Sequence, residues 1–233
     1  MINSFFRYPH TPHLAWLGAA SPRDDKVLSV EEVRSLLSRE VVVEEKLDGA
    51  NLGVSLGPDG GLKFQNRGQY LAEPYSGQFA RLSDWLIDHA DKLWTSLTTD
   101  TILFGEWCAA RHSLDYVALP DWFLLFDVYD RTAGCFWSVE RRNALAERAG
   151  IAAVPQLARG KFSVKSLKTL VEASKSFYRP GPLEGIVVRQ DSSERNEARA
   201  KLVRCDFVQS IESHWRKRTI EWNRIAPQDD GTI

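Results

Sequence analysis

Val41-Val42-Val43-Glu44-Glu45-Lys46-Leu47-Asp48-Gly49-Ala50-Asn51 is a β-branched run that carries one lysine to a strand end. A carboxylate and a turn glycine follow at once. Such a lysine is a nucleophile only if its amine loses its proton. The reference amine pKa is about 10.4, so neutralising it at pH 7 costs about 4.6 kcal/mol. Burial, neighbouring cations or a metal must supply that. Lysine near Asp-Gly is common, so the decisive information lies in the segments downstream of this one.

Working outward, Ser29 followed by Glu31 and Glu32 marks a helix start, with Val33, Leu36 and Leu37 as its apolar stripe. The chain before it, through Ser21-Pro22-Arg23, contains Pro9, Pro12 and Pro22 and is expected to be extended. After Lys46, Asn51–Leu56 and Leu62–Arg67 alternate as strands about the turn Gly57-Pro58-Asp59-Gly60-Gly61. Phe79, Leu82, Trp85, Leu86 and Leu93 predict a helix. Thr101–Cys108 and Phe123–Tyr129 read as buried strands. Arg141–Arg148, closed by Gly150, and Leu167–Ser176 read as helices. Gly185–Arg189 and Ala200–Arg204 are expected as short strands around a polar loop, Asp191–Arg199. Phe207–Ile225 is expected to be a helix. The pattern predicts an α+β fold with a predominantly antiparallel core.

The chain has 233 residues, 43% hydrophobic and 26% charged, with a net charge of −1. This is a globular composition, and any nucleic-acid contact needs a local basic patch. No signal peptide or membrane-spanning run is recognisable. The odd, scattered cysteines Cys108, Cys135 and Cys205 suit a reducing, cytoplasmic setting. His10, His13, His89, His112 and His214 show no metal-site spacing and receive no role, although Arg111-His112 is a candidate phosphate contact.

Charges interrupt the apolar strands at regular places. Lys46 and Asp48 end one strand, and Arg67-Gly68 ends another. Glu106 sits inside Leu103-Phe104-Gly105-Glu106-Trp107, and Asp127 follows Phe126. Glu184-Gly185 opens Ile186-Val187-Val188-Arg189, and Arg199 and Lys201 flank Ala200. Taken singly, Glu184-Gly185 also fits a turn, Arg67-Gly68 a strand end and Phe126 a core residue, and Asp127 reads as structural. An unpaired buried charge costs several kcal/mol, so charges so placed should meet in one cleft.

This order resembles the covalent nucleotidyltransferase superfamily of ATP-dependent ligases, NAD-dependent DNA ligases and mRNA capping enzymes. Asn51 completes Lys-x-Asp-Gly-x-Asn, similar to the RNA ligase 2 branch. Two departures stand out: Arg199-Ala200-Lys201 where Lys-x-Lys is frequent, and too few residues after Lys201 for an OB-fold domain. The resemblance implies an ATP-grasp-like adenylation domain over residues 1–205, with a helical tail at 206–233 packed on it. It implies ATP and Mg²⁺ (or Mn²⁺) as cofactors and RNA ends or a nicked duplex as substrate. An end-healing kinase or phosphatase as partner, and a monomer without membrane contact, are expected.

The resemblance further implies that Lys46 attacks the α-phosphate, with Asp48, Glu184 and Lys201 completing the catalytic set. Glu45, through its backbone carbonyl, Asn51, Arg67, Glu106, Phe126, Glu184, Arg199 and Lys201 would hold the nucleotide. Asp48, Glu106 and Glu184 would hold the metal, mostly through water. Glu184 and Asp48 would raise the lysine pKa unless a cation offsets them. The leading expectation is an ATP-dependent RNA ligase. Alternatives are a minimal or mixed-specificity DNA ligase, a capping guanylyltransferase, and a silent nucleic-acid end-binding module. The basic tail, with Trp215, Arg216, Lys217, Arg218, Trp222 and Arg224, is expected to serve the polynucleotide steps more than lysine adenylation.

Overall fold

The computed structural model describes residues 4–18, 26–210 and 219–227. It is a mixed α+β fold with two antiparallel sheets. The first helix, α1 (Val30–Leu36), starts at Ser29 with a reciprocal capping box to Glu32. The quoted stretch forms β1 (Val41–Lys46) and, after a tight turn at Leu47–Gly49, enters β2 (Ala50–Leu56). Only glycine fits at position 49, because a Cβ there would lie 2.6 Å from the carbonyl oxygen of Trp107. β3 (Leu62–Gln65) returns across the predicted turn.

A single 3₁₀ turn (Gly77–Phe79) leads to α2 (Leu82–Ser96), then β4 (Thr101–Trp107), β5 (Phe123–Asp130) and the short β6 (Cys135–Phe136). α3 (Val139–Ala149) ends at Gly150, which takes the left-handed conformation (φ 60°) that the sequence predicts for a stop. β7 (Gln156–Gly160), α4 (Val164–Ala173), β8 (Gly185–Asp191), β9 (Asn196–Val203) and α5 (Cys205–Ser210) complete the order.

One sheet runs β7-β1-β8-β9 and the other β3-β2-β4-β5-β6. Side chains alternate between faces along each strand, and that period builds the site. In the first sheet Val41, Val43, Ile186, Val188, Ala200 and Leu202 face a core shared with α1 and α4. The alternate positions Glu44, Lys46, Val187, Arg189, Arg199 and Lys201 face a cavity. In the second sheet Leu52, Val54, Leu103, Trp107 and Phe123 pack against α2 and α3, while Asn51 and Glu106 face the same cavity. Helices cover the outer faces, and polar residues are concentrated between the sheets.

Two expectations need correction, and one strand has no counterpart in the sequence reading. Residues 156–160 form a strand that their mixed, half-exposed sequence does not announce; β7 is held as an edge strand by pairing with β1. The polar loop expected over Asp191–Arg199 is much shorter, because β9 already begins at Asn196 and pairs with Asp191. The tail is not one helix to Ile225. Among the described residues helix α5 covers Cys205–Ser210, and residues 219–227 run extended against the loop 109–119. Their backbone groups bond outside the segment: Asn223 N donates to Ala109 O, Arg224 N to Tyr116 O and Ala226 N to Leu119 O. Those partners replace the i−4 carbonyls a helix would need. Trp222 packs on the α2-side core, with the Arg81 guanidinium 4.4 Å from its ring. Trp215, Arg216, Lys217 and Arg218 lie outside the described residues. Among the described residues, no helix is long and apolar enough to cross a membrane.

Candidate active site

The two sheets enclose a cavity of about 500 Å³, within the range of small-ligand sites. Lys46 reaches it from the last position of β1, where its partner across the sheet is Gly185. That register brings the neighbouring Glu184 beside the amine. The two Glu184 oxygens lie 2.6 and 2.7 Å from Lys46 Nζ, and the carboxylate side chain is only 5% exposed. Glu106 faces Asn51 across the β2–β4 ladder and accepts from Gly49 N at 2.9 Å. This ties the turn after the lysine to the second sheet.

The electrostatics follow from three carboxylates around one ammonium. Burial pulls the Lys46 amine down, but Glu184, Glu106 and Asp48 outweigh it and hold the amine above its ordinary range. Burial pushes Glu184 up to about 8 and Glu106 up to about 7, against the opposing pull of Lys46. The Lys46 and Glu184 shifts oppose each other near neutral pH. The short bidentate contact favours the ionised pair, in which the lysine is held above its ordinary range. Lys46 therefore holds its proton in this arrangement.

The remaining expected residues divide into two groups. Arg67, Phe126, Arg199 and Lys201 all line the cavity with Asn51 and Glu106. Asn51 Oδ1 and Arg67 Nε are buried without a hydrogen-bond partner, an acceptor and a donor that a polar ligand could satisfy. Lys201 is fixed by its backbone, which bonds Pro12 O and Leu14 N of the extended N-terminal segment.

Arg199 is placed differently from a simple phosphate contact. It lies 3.0 Å from Asp127 and stacks on Phe136 and Tyr8, with centroid distances of 4.1 and 5.1 Å. Asp48 is turned from the cavity wall: its Oδ2 accepts from Ser113 N and Leu114 N, both at 2.7 Å. The Glu45 side chain also points elsewhere, accepting from Phe177 N at 3.0 Å, and burial raises its pKa.

Beneath the cavity lies a charged network that explains Asp127. Asp127 is fully buried; burial alone would raise it, but Arg189 and Arg199 hold it below the usual range. Arg189 Nη1 is 2.7 Å from Asp127, and Arg142 Nη2 bonds Glu44. Tyr8, whose hydroxyl burial pushes upward, stays protonated and donates to Asp127.

Tyr8 and Thr11 line the cavity from the N-terminal segment, and sequence reading missed both. Tyr8 offered a weak signal, an aromatic amid the prolines; Thr11 offered none. His112 lines the cavity and approaches Gln78 Oε1 at 2.9 Å, and burial lowers its pKa. Arg111, expected beside it at a phosphate, instead pairs with Glu221 at 2.7 Å.

No group of three or more His, Cys, Asp or Glu among the described residues is arranged to hold a metal directly. Asp48 is engaged by backbone amides. Glu106 lines the cavity and Glu184 lies behind Lys46 at its wall, so these two carboxylates are the ones placed to hold a cation partly through water.

The sequence model of the RNA ligase family matches residues 39–203, and this chain belongs to that family. Its fold resembles a Naegleria gruberi RNA ligase solved with PPi, at 18% identity and a TM-score of 0.61, covering 79% of this chain and 55% of that one. A variant of the Naegleria enzyme with ATP and Mn gives 15% identity, a TM-score of 0.64, and coverage of 89% and 59%. An archaeal ATP-dependent RNA ligase gives 20%, 0.53, and coverage of 73% and 44%. At such identities the likeness is one of fold, and the chain spans about half the length of these solved relatives. Comparison with curated protein sequences gives no significant match.

Proposed function

We propose that this protein is an ATP-dependent RNA ligase that joins a 3′-hydroxyl to a 5′-phosphate through a lysine–AMP intermediate. The observation that carries this reading is Lys46 at a strand end, paired to Glu184 on the wall of a cavity that also presents Arg67, Glu106 and Lys201. Family membership supports the same conclusion.

In the first step Lys46 Nζ bonds to the α-phosphorus, the bond to the bridging oxygen breaks, and pyrophosphate leaves. The amine must first lose a proton, and the Glu184 oxygens are the carboxylate acceptors nearest to it. Arg67 and Lys201 bring positive charge to the phosphates. Asn51 Oδ1 can accept a ribose or base donor, Glu106 a ribose hydroxyl, and Phe126 offers a ring to the adenine. Arg199 holds Asp127 and packs on Tyr8. A divalent cation, Mg²⁺ or Mn²⁺, held through water near Glu106 and Glu184, would lower the lysine pKa and neutralise departing pyrophosphate. The adenylate then passes to a 5′-phosphate, and attack by the 3′-hydroxyl releases AMP.

We assign residues 1–205 to the adenylation domain and place the activity in the cytoplasm. The test is ligation of matched RNA, DNA and hybrid nicks with ATP. Preferential sealing of RNA ends supports the reading. Sealing of DNA alone would make the chain a DNA ligase, and binding of ends without a covalent protein label would make it a binding module.

A further inference from the structure

Asn223 is 4% exposed and lies outside the stretch that matches the RNA ligase family. Its amide acts at both ends of one loop. Nδ2 donates to Cys108 O at 2.8 Å and faces Ala110 O at 3.4 Å, while Oδ1 accepts from Tyr116 N at 2.9 Å. Its backbone N–H donates to Ala109 O. A single buried side chain thus bridges the start and the end of the connection that leaves β4.

That loop has a second set of contacts, all to Asp48. Ser113 N and Leu114 N donate to its carboxylate, and the Tyr116 hydroxyl accepts from its backbone N–H at 2.8 Å. Tyr116 is 1% exposed. Asp48 stands two residues after Lys46, so these three bonds fix the chain leaving the nucleophile. Neither Asp48 nor Asn223 lines the cavity.

We propose that Asn223 is a positioning residue for lysine adenylation, acting through Tyr116 and the loop 108–119 on Asp48 and hence on the direction of Lys46. The extended C-terminal segment would then serve the nucleotide step, in addition to any part the tail plays on polynucleotide. This rests on the reading of Lys46 as the nucleophile. A small displacement of a reacting group slows a bond-forming step far more than it weakens ligand binding, and such shifts reach about 100-fold.

The experiment uses the full chain with Asn223→Ala, Tyr116→Phe and both together. It measures the single-turnover rate of covalent labelling by radiolabelled ATP, ATP affinity by equilibrium binding, and thermal melting. Asn223→Ala is expected to slow labelling about 10- to 100-fold at temperatures where it is folded. ATP affinity should change less than about threefold, and Tyr116→Phe should show the same split. Because both changes act along one route, the double variant should be no slower than the slower single. Labelling at the wild-type rate by folded Asn223→Ala, or effects that multiply in the double variant, would overturn the proposal. If Asn223→Ala does not fold, Tyr116→Phe decides: it loses one hydroxyl and keeps its ring, and a wild-type rate there overturns it too. Absence of label in the wild-type chain would instead refute the Lys46 reading, and this proposal with it.

Discussion

The β1 sheet turns Glu44, Lys46, Arg189, Arg199 and Lys201 toward the cavity, whereas the β4 sheet offers Asn51, Glu106 and the Phe126 ring. On the first sheet most of these charges are already engaged with protein partners: Lys46 with Glu184, Arg189 and Arg199 with Asp127. On the second, Asn51 Oδ1 is buried with no hydrogen-bond partner. The difference suggests a division of labour. Under the proposed mechanism the charged sheet would serve bond making at the phosphates, and the other would hold the nucleoside. Removing a group from the first should lower rate, while removing one from the second should lower affinity.

The largest expected effect is at Lys46. Lys46→Ala should abolish covalent labelling while the fold survives, and Lys46→Arg should fail as well, because a guanidinium stays protonated. Labelling of either variant at the wild-type level, read on a denaturing gel, would move the nucleophile elsewhere. Next come Glu184→Ala and Lys201→Ala, each expected to slow labelling by about 100- to 1,000-fold, the effect of one lost transition-state contact. Lower melting temperature with a normal rate in the folded fraction would make these residues structural.

Across the cavity, Asn51→Ala should weaken ATP binding by about five- to tenfold, the worth of one hydrogen bond, and change the saturated rate less. An equal loss in rate would erase the distinction between the sheets. A pH series sharpens it further. Glu184, Glu106 and Asp48 hold the Lys46 amine above its ordinary range, so the free amine grows as pH rises. The labelling rate at saturating ATP should climb through about pH 6 to 9 and go on climbing above it, because the amine is held above its ordinary value. Glu184→Gln removes a raising charge and should shift this rise toward lower pH, even though its plateau falls.

The smallest effect lies outside both cavity faces. His89 has Nδ1 2.8 Å from Trp85 O and Nε2 2.8 Å from Asp121. Burial lowers its pKa, but Asp121 outweighs burial and the net shift is upward. Stability from this pair is therefore full below the unfolded imidazole pKa, about 6.5, and is lost as pH rises through the higher folded value. Removing the pair with His89→Gln should lower Tm by about 2–4 °C in acid, as a loss of 1 kcal/mol does in a domain of this size, and by less in alkali. Labelling by the folded variant should be unchanged.

The strands and the converging charges were legible because two periods coincide in them. Apolar residues on alternate positions announce the outer core, and charges on the intervening positions have no stable place except a shared cavity. Lys46, Glu106 and Lys201, all on the cavity wall, were singled out this way, and Asn51 through the Lys-x-Asp-Gly-x-Asn resemblance. Residues whose place depends on distant partners were not. Asp48 looks like a site carboxylate, but the amides of Ser113 and Leu114 turn it aside. Arg199 looks like a free phosphate ligand, but Asp127 and the Tyr8 and Phe136 rings hold it. The tail reads as helical by local composition, yet residues 219–227 take their hydrogen bonds from the loop 109–119. Local propensity loses there to contacts more than a hundred residues away, which no window of sequence contains.

The central claim is that the adenylyl group of ATP becomes covalently joined to one lysine as pyrophosphate leaves. The most direct measurement is mass spectrometry of the full chain after incubation with ATP and Mg²⁺, followed by denaturation and digestion. The account predicts one added adenylyl group, on the peptide that contains Lys46, and none when ATP is left out. An adenylyl group on a different residue, or an unmodified chain in the presence of ATP and metal, would contradict it.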